Sequence, residues 1–264
     1  MTPHWQTPDA ALRLYCDEAL EFLCEMEPAS VDAIITDPPY ASGGFSEAQR
    51  KGARGQGLRF STRKKQGWFG SDNMGTAGIA WLLRSIAVQA FRVLPPTGSM
   101  LVFTDWRQVP NLVPAIESAG LCYQNLLVWA KPSPALGRGF RAQHELVLHF
   151  THGPVAEYYD QGAGNVIQCK RPSSTRRIHP AQKPVDLLAK LIRVVAPPDG
   201  LILDPFAGSG ATLAAARATG HRAIGVERDE ARCQVAAEYL TTYVADMPGP
   251  ASPDQLPLLQ GGTA

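Results

Sequence analysis

The chain has 264 residues, 45% of them hydrophobic, with a formal net charge of +1; this is enough to bury one large domain and is not the composition of a fibrous or generally disordered chain. No window approaches the roughly 18 to 20 uninterrupted apolar residues of a membrane span, and the N-terminus lacks a basic-then-apolar leader, so a cytoplasmic protein with no membrane partner is expected. The five cysteines (Cys16, Cys24, Cys122, Cys169, Cys233) are dispersed and never form C-x-x-C, which points to buried free thiols rather than a disulfide framework or zinc site. His144, His149 and His152 share one strand-like run without a convincing fourth ligand, so no metal is expected there.

In chain order, residues 17 to 27 place Leu20, Leu23 and Cys24 on one face behind Asp17 as a candidate N-cap, which predicts a short amphipathic helix. VDAIIT reads as a buried strand. Residues 41 to 77 are rich in Gly, Ser, Lys and Arg and lack a period, and read as a long flexible loop of the kind that is functional or disordered. A helix over 78 to 94 stops at Pro95-Pro96; a strand (SMLVF), a helix (about 106 to 119) and a strand (YQNLLVWA) follow. Residues 131 to 182 break the rhythm with a Pro- and Gly-rich loop, a strand near 144 to 150 and a basic linker. Helix VDLLAKLIRVVA, strand LILD, helix GATLAAARATG, strand RAIGV and helix DEARCQVAAEYLTTYVA complete the pattern. Alternating helices and apolar strands imply an α/β fold with a mainly parallel, doubly wound sheet. One domain over 1–246 is expected, with the tail 247–264 disordered.

Charge is partitioned along the chain. Between Glu47 and Asp72 lie seven basic residues and no acid, and from Lys131 to Lys183 eight basic residues and three acids. These stretches carry fifteen basic residues against three acids, leaving ten against twenty-one for everything else. A mildly acidic body with two basic segments fits a polyanion such as nucleic acid better than it fits two solvated loops.

Two stretches carry chemistry. In ITDPPYASGG an apolar strand runs into an acid, two prolines and a tyrosine, where a simple corner would be served by Gly, Asn or Ser. LILDPFAGSGATL is a strand, glycine turn and helix, and Glu227 ends the next strand; in a doubly wound sheet this puts a ligand at the strands' carboxyl ends with an acid in reach of ribose hydroxyls. Gly208 and Gly210 lack the third glycine of a full dinucleotide fingerprint, so the turn alone supports any adenosine cofactor.

Together TDPPY (36–40), HPAQKP (179–184) and DPFAGSG (204–210) resemble the DNA amino-methyltransferases that use S-adenosylmethionine, and the order of the motifs is similar to their permuted β class. The likeness covers about residues 12 to 245. It implies a seven-stranded Rossmann-like methyltransferase sheet, often a homodimer, and a target base flipped out of duplex DNA. An exocyclic amine is a poor nucleophile because its lone pair is delocalised into the ring. Asp37 and the Pro38 carbonyl would accept its N–H bonds and localise that pair, Pro38 and Pro39 restrict the turn without adding competing donors, and Tyr40 would stack on the base. Transfer would be direct, by positioning and electrostatics.

The same resemblance assigns Asp204, Pro205, Phe206, Ala207, Gly208, Ser209 and Gly210 to the methionine side of the cofactor and Glu227 to its ribose. Asp17 is matched to the acid near the cofactor's adenine, with N-capping as the alternative. His179, Gln182 and Lys183 are matched to the segment closing over the methionine end, where Lys183 could meet the carboxylate; loop anchoring is the alternative for His179. Arg54, Arg59, Arg63, Lys64 and Lys65 of the loop after DPPY, and Arg138, Arg141, Arg171, Arg176 and Arg177 of a target-recognition insert at about 131–182, are the expected DNA contacts.

DPPY serves adenine N6 and cytosine N4 in the family, and an Asp at its first position leans toward adenine. Methylation at cytosine C5 needs a thiolate that follows proline, and the chain has no Pro-Cys pair. A non-catalytic DNA-binding regulator would have no need of both the acid and the tyrosine, and small-molecule methylation would leave the basic segments unexplained. A restriction endonuclease partner is not legible in the chain.

Overall fold

Four runs of consecutive buried residues, AIIT, SMLVFT, LILD and AIGVE, can all be hidden only if the sheet they form is covered on both faces. They form the centre of such a sheet in the computed structural model, which describes residues 1–39, 75–135, 139–170 and 182–245. In chain order the elements are β1 (Trp5–Gln6), β2 (Leu12–Cys16), α1 (Ala19–Glu25), β3 (Ala33–Thr36), α2 (Thr76–Val93), β4 (Ser99–Thr104), α3 (Val109–Glu117), β5 (Cys122–Ala130), β6 (His144–Thr151), β7 (Val166–Gln168), α4 (Val185–Val195), β8 (Leu201–Asp204), α5 (Ala211–Ala218), β9 (Arg222–Glu227) and α6 (Glu230–Ala245).

The described strands build one sheet in the order β1-β2-β9-β8-β3-β4-β6-β5-β7. Strands β2, β9, β8, β3 and β4 are parallel, and β6 lies antiparallel between β4 and β5. The seven strands from β2 to β5 correspond to the seven-stranded expectation. Two short strands enlarge the sheet to nine among the described residues: β1 pairs antiparallel with β2, and β7 pairs parallel with β5. At two and three residues they carry no readable period, so the sequence gives no sign of them.

Strand alternation sends Ala33, Ile35, Leu101 and Phe103 to a core shared with α4, α5 and α6. Ile34, Met100 and Val102 point the other way, into a core with α1, α2 and α3. Each large apolar side chain hidden this way stabilises the fold by about 1.5–3 kcal/mol. The sheet is thus doubly wound, and its position is fixed by two cores that share no side chain. No described helix is long and apolar enough to cross a membrane.

Several expectations are corrected. The N-cap of α1 is Glu18, whose Oε2 accepts from the backbone N–H groups of Leu20 and Glu21, and Asp17 instead accepts from Glu18 N at 2.7 Å. Cys16 and Cys24 are exposed and only Cys233 is fully buried, because Cys16 ends β2 at an open strand terminus and Cys24 lies on the solvent side of a two-turn helix. Within 131–182, β6 is an interior strand of the sheet and β7 an edge strand, so this stretch is woven into the domain through its strands. The residues 41–74 of the long basic loop and the tail beyond Ala245 lie outside the described residues.

His149 of β6 and His152 at its exit have structural partners, while His144 at the start of β6 is exposed. His149 Nε2 lies 3.0 Å from Ser99 Oγ across the β4–β6 pair, and the His152 ring packs 4.0 Å from that of Phe91 with Nδ1 3.0 Å from Leu94 O. Burial disfavours the imidazolium of His149 and pulls its pKa down to about 4. Below the ordinary pKa near 6.5 the unfolded chain binds a proton that the folded chain refuses, so this stabilisation is present above pH 6.5 and is lost as the pH falls toward 4. Urea denaturation at pH 7 and pH 4.5 is expected to show the acid loss reduced in His149→Gln, by up to about 3 kcal/mol relative to the unsubstituted chain.

Candidate active site

In an open parallel sheet the crevice lies where successive crossovers leave in opposite directions, outside the strands' carboxyl ends. Here the chain passes from β3 outward to β4 and from β8 outward, on the other side, to β9, so the switch falls between the paired strands β3 and β8. Asp37 follows β3 and Asp204 ends β8, directly at this point. The neighbouring carboxyl ends carry Glu227 on β9 and Asp17 after β2, with Asp17 N donating to Glu227 O at 3.1 Å. Acids from four strands therefore gather along one edge of the sheet.

The glycine turn is shaped by two of them. Asp204 is buried and turned inward: Oδ1 accepts from Thr36 Oγ1 (2.9 Å) and Phe206 N (3.1 Å), and Oδ2 accepts from Thr212 Oγ1 (2.6 Å). It ties β3, the turn and the first turn of α5 together. Burial raises its pKa to about 6 against the pull of these three donors. Gly208 and Gly210 have φ of +52° and +77°, a region that L side chains rarely adopt. The carboxylate of Glu227 accepts from Gly208 N at 3.1 Å through Oε2 and from Asp229 N at 3.0 Å through Oε1. Gly225 lets the layers close: a Cβ there would stand 2.7 Å from Leu213 Cδ1 and 2.9 Å from Ala207 Cβ. Pro205, Ala207 and Gly210 are buried, while Phe206, Gly208 and Ser209 are partly exposed. A left-handed glycine turn with an acid beside it offers what an adenosine cofactor needs: close backbone approach and a carboxylate for hydroxyl groups.

Asp37 stands at the head of a row of charges. Lys183 Nζ lies 2.6 Å from Asp37 Oδ2 and 3.1 Å from Glu145 Oε2, and Lys131 Nζ lies 2.6 Å from Glu145 Oε1. Lys183 and Lys131 are buried. Burial alone would pull the Lys183 pKa down, but Asp37 and Glu145 overcome it and hold it above the ordinary value. Burial likewise opposes ionisation of Glu145, and Lys183 and Lys131 reverse that. Removing one partner from such a buried pair costs about 3–5 kcal/mol in general, because the other charge is left uncompensated.

Lys183 thus meets Asp37 and Glu145, whereas the resemblance assigns it to the cofactor's carboxylate. Gln182 is buried and bonds the Tyr239 hydroxyl, whose pKa burial raises to about 12. Pro38 is buried and Pro39 partly so, and Arg141 is exposed on the loop between β5 and β6. Tyr40, Arg54, Arg59, Arg63, Lys64, Lys65, Arg138, Arg171, Arg176, Arg177 and His179 lie outside the described residues. Sequence reasoning passed over Glu145, Lys131, Thr36 and Thr212. The first two had one signal: each is a charge adjoining an almost wholly apolar strand, VWAK and HELVL.

A family model described as DNA methylase (N6_N4_Mtase) matches residues 31–238. The chain is 32% identical over 200 residues to YubD of Escherichia coli (strain K12), which is named as a methylase, with 75% of this chain and 76% of that protein covered. It is 26% identical over 254 residues to the type II methyltransferase M.HpaI of Haemophilus parainfluenzae, covering 86% of this chain and 74% of that one. Among solved structures, the M1.HpyAVI–SAM complex aligns with a TM-score of 0.64 at 23% identity, over 87% of this chain and 98% of that one. PvuII DNA methyltransferase, described as cytosine-N4-specific, aligns with a TM-score of 0.67 at 18% identity, over 92% and 94%. At these identities the two structures establish a common fold.

The role of Asp204 as the strut of the turn can be tested apart from any activity. Thr212→Val keeps the shape of the side chain and removes the 2.6 Å donor to Oδ2; urea unfolding is expected to show a loss of about 1–3 kcal/mol.

Proposed function

We propose, from the family to which this chain belongs, the N6/N4 DNA methylases, that it transfers a methyl group from S-adenosylmethionine to the N6 amine of adenine in duplex DNA. The observation that carries the reading is the placement of Asp37. Its carboxylate stands at the carboxyl end of β3, held by Lys183 at 2.6 Å, across the switch point from the glycine turn and Glu227. An acceptor for an amine and a cradle for an adenosine cofactor thus face one crevice.

The residues present fit that cofactor. Glu227 supplies a carboxylate suited to ribose hydroxyls, the positive-φ glycines let a ligand approach the backbone, and Asp17 lies next to Glu227 on the adjoining strand end. Bound S-adenosylmethionine supplies a sulfonium methyl, whose carbon gains a bond to nitrogen as its bond to sulfur breaks. Asp37 accepts an N–H bond of the amine, localises the nitrogen lone pair and receives the proton released when the amine is alkylated. The Pro38 carbonyl accepts the second N–H, and neither proline adds a donor that would compete. Tyr40 stacks on the extruded base, a contact worth roughly 1–3 kcal/mol, which offsets much of the few kcal/mol of unstacking. DPP preceding the glycine turn in the chain supports the permuted β class. The basic residues after Tyr40 and those between Lys131 and Lys183 supply phosphate and base contacts.

Cytosine N4 is the second reading, since it presents the same kind of amine and one structure of the same fold is described as cytosine-N4-specific. An acid at the first motif position favours adenine. Duplex DNA incubated with the purified protein and S-adenosylmethionine is expected to yield N6-methyladenine on nucleoside mass spectrometry. N4-methylcytosine in its place would establish the second reading, and unmodified DNA would overturn both. Asp37→Ala is expected to lower kcat on the order of 10²- to 10³-fold while DNA binding is kept.

A further inference from the structure

Behind Asp37 stand three charged side chains that the transfer itself does not consume. Lysine is a compact charge on a flexible stem, so an ammonium with one carboxylate partner can swing around it. Lys183 is confined: Asp37 Oδ2 lies on one side at 2.6 Å, Glu145 Oε2 on the other at 3.1 Å, and the ring of Phe103 5.1 Å away. Glu145 is confined in turn. It lies in β6 opposite Trp129 of β5, and its Oε1 takes Lys131 Nζ at 2.6 Å, an ammonium that also sits 4.8 Å over the Trp129 ring. The row alternates acid, base, acid, base from Asp37 to Lys131, so it is neutral as a whole and each inner member is gripped from both sides. Its far end is built into the register of a β-hairpin, and its near end is the carboxylate at the switch point.

We propose that Glu145, braced by Lys131, is a positioning residue that holds the Lys183 ammonium at Asp37 Oδ2 and so fixes the orientation of the carboxylate toward the target amine. This rests on Asp37 being the acceptor for that amine. Without Glu145, Asp37 is the one carboxylate that remains beside the ammonium among the described residues; the ammonium closes over it and competes with the amine for the same lone pairs. Lys183 in this role acts on the rate of transfer, whereas a lysine that gripped the cofactor's carboxylate would act on cofactor binding. A signature in pH follows as well. Glu145 is one of two charges that keep Lys183 protonated against burial, so its neutralisation lets Lys183 lose its proton at lower pH, and the alkaline limb of the rate moves down.

The test uses the full chain, tritiated S-adenosylmethionine and plasmid DNA from a host lacking DNA methylases, comparing the unsubstituted protein with Asp37→Asn, Glu145→Gln and the charge-balanced double variant Lys131→Met/Glu145→Gln. The double variant leaves Asp37 and Lys183 as a neutral pair, so it serves if the single variant fails to fold. Both Glu145 variants are expected to lose about 10- to 100-fold in kcat, with the KM values for cofactor and DNA changed by less than about twofold and the alkaline limb moved to lower pH. An unchanged kcat and pH profile in a folded Glu145 variant, beside an inactive Asp37→Asn, overturns the positioning role and leaves the acceptor role standing. A raised KM for S-adenosylmethionine with kcat unchanged overturns it too and assigns Lys183 to the cofactor. Full activity of Asp37→Asn, or no transfer by the unsubstituted protein, overturns the acceptor role and the positioning role with it.

Discussion

A carboxylate at the mouth of a buried parallel strand must be matched by a cation or by hydrogen-bond donors if it is to keep its charge, because burial disfavours the charged form. This protein answers the constraint in two ways within a few residues of each other. Asp37 is matched by the Lys183 ammonium and stays an acceptor. Asp204, one strand away, has no ion pair among the described residues and relies on two hydroxyls and an N–H, and its pKa climbs to about 6. The first arrangement leaves a carboxylate at the crevice and the second braces the turn that faces it.

The sheet makes this division possible. Two apolar cores, one on each face, hold β3 and β8 side by side along their length. The ends are then available for charges that would be ruinous in the middle of either core. Thr36 and Asp204 show how tightly this is done: 168 residues apart in the chain, they meet at 2.9 Å.

The central strands were legible because each is a continuous apolar run bounded by turn residues, and the helices because Leu, Ile and Ala recur at helical spacing. The edge strands β1 and β7 were not, since two or three residues carry no period and their pairing is decided by distant partners. Within the site, Asp37, the glycine turn and Glu227 were visible as motifs. Glu145 and Lys131 were not, because nothing in local spacing says that a charge near the start of β6 and a charge just after β5 will meet across a hairpin and reach a lysine ahead of α4. The sequence also offered Asp17 as the helix cap, and the neighbouring Glu18, with its longer side chain, takes that place by reaching the N–H groups of Leu20 and Glu21.

The antiparallel insertion of β6 between β4 and β5 has an architectural corollary. A strand that enters the sheet from the crevice side obliges the chain to leave β5 on that same side, so Lys131 and Gln143, the residues next to the two strand ends, meet there with Lys131 N donating to Gln143 O at 2.8 Å, while the pairs from Cys122–Thr151 to Ala130–His144 anchor the hairpin below. The hairpin thereby carries Glu145 and Lys131 to the sheet end where Asp37 and Lys183 stand, so that one reversal of strand direction aligns four alternating charges.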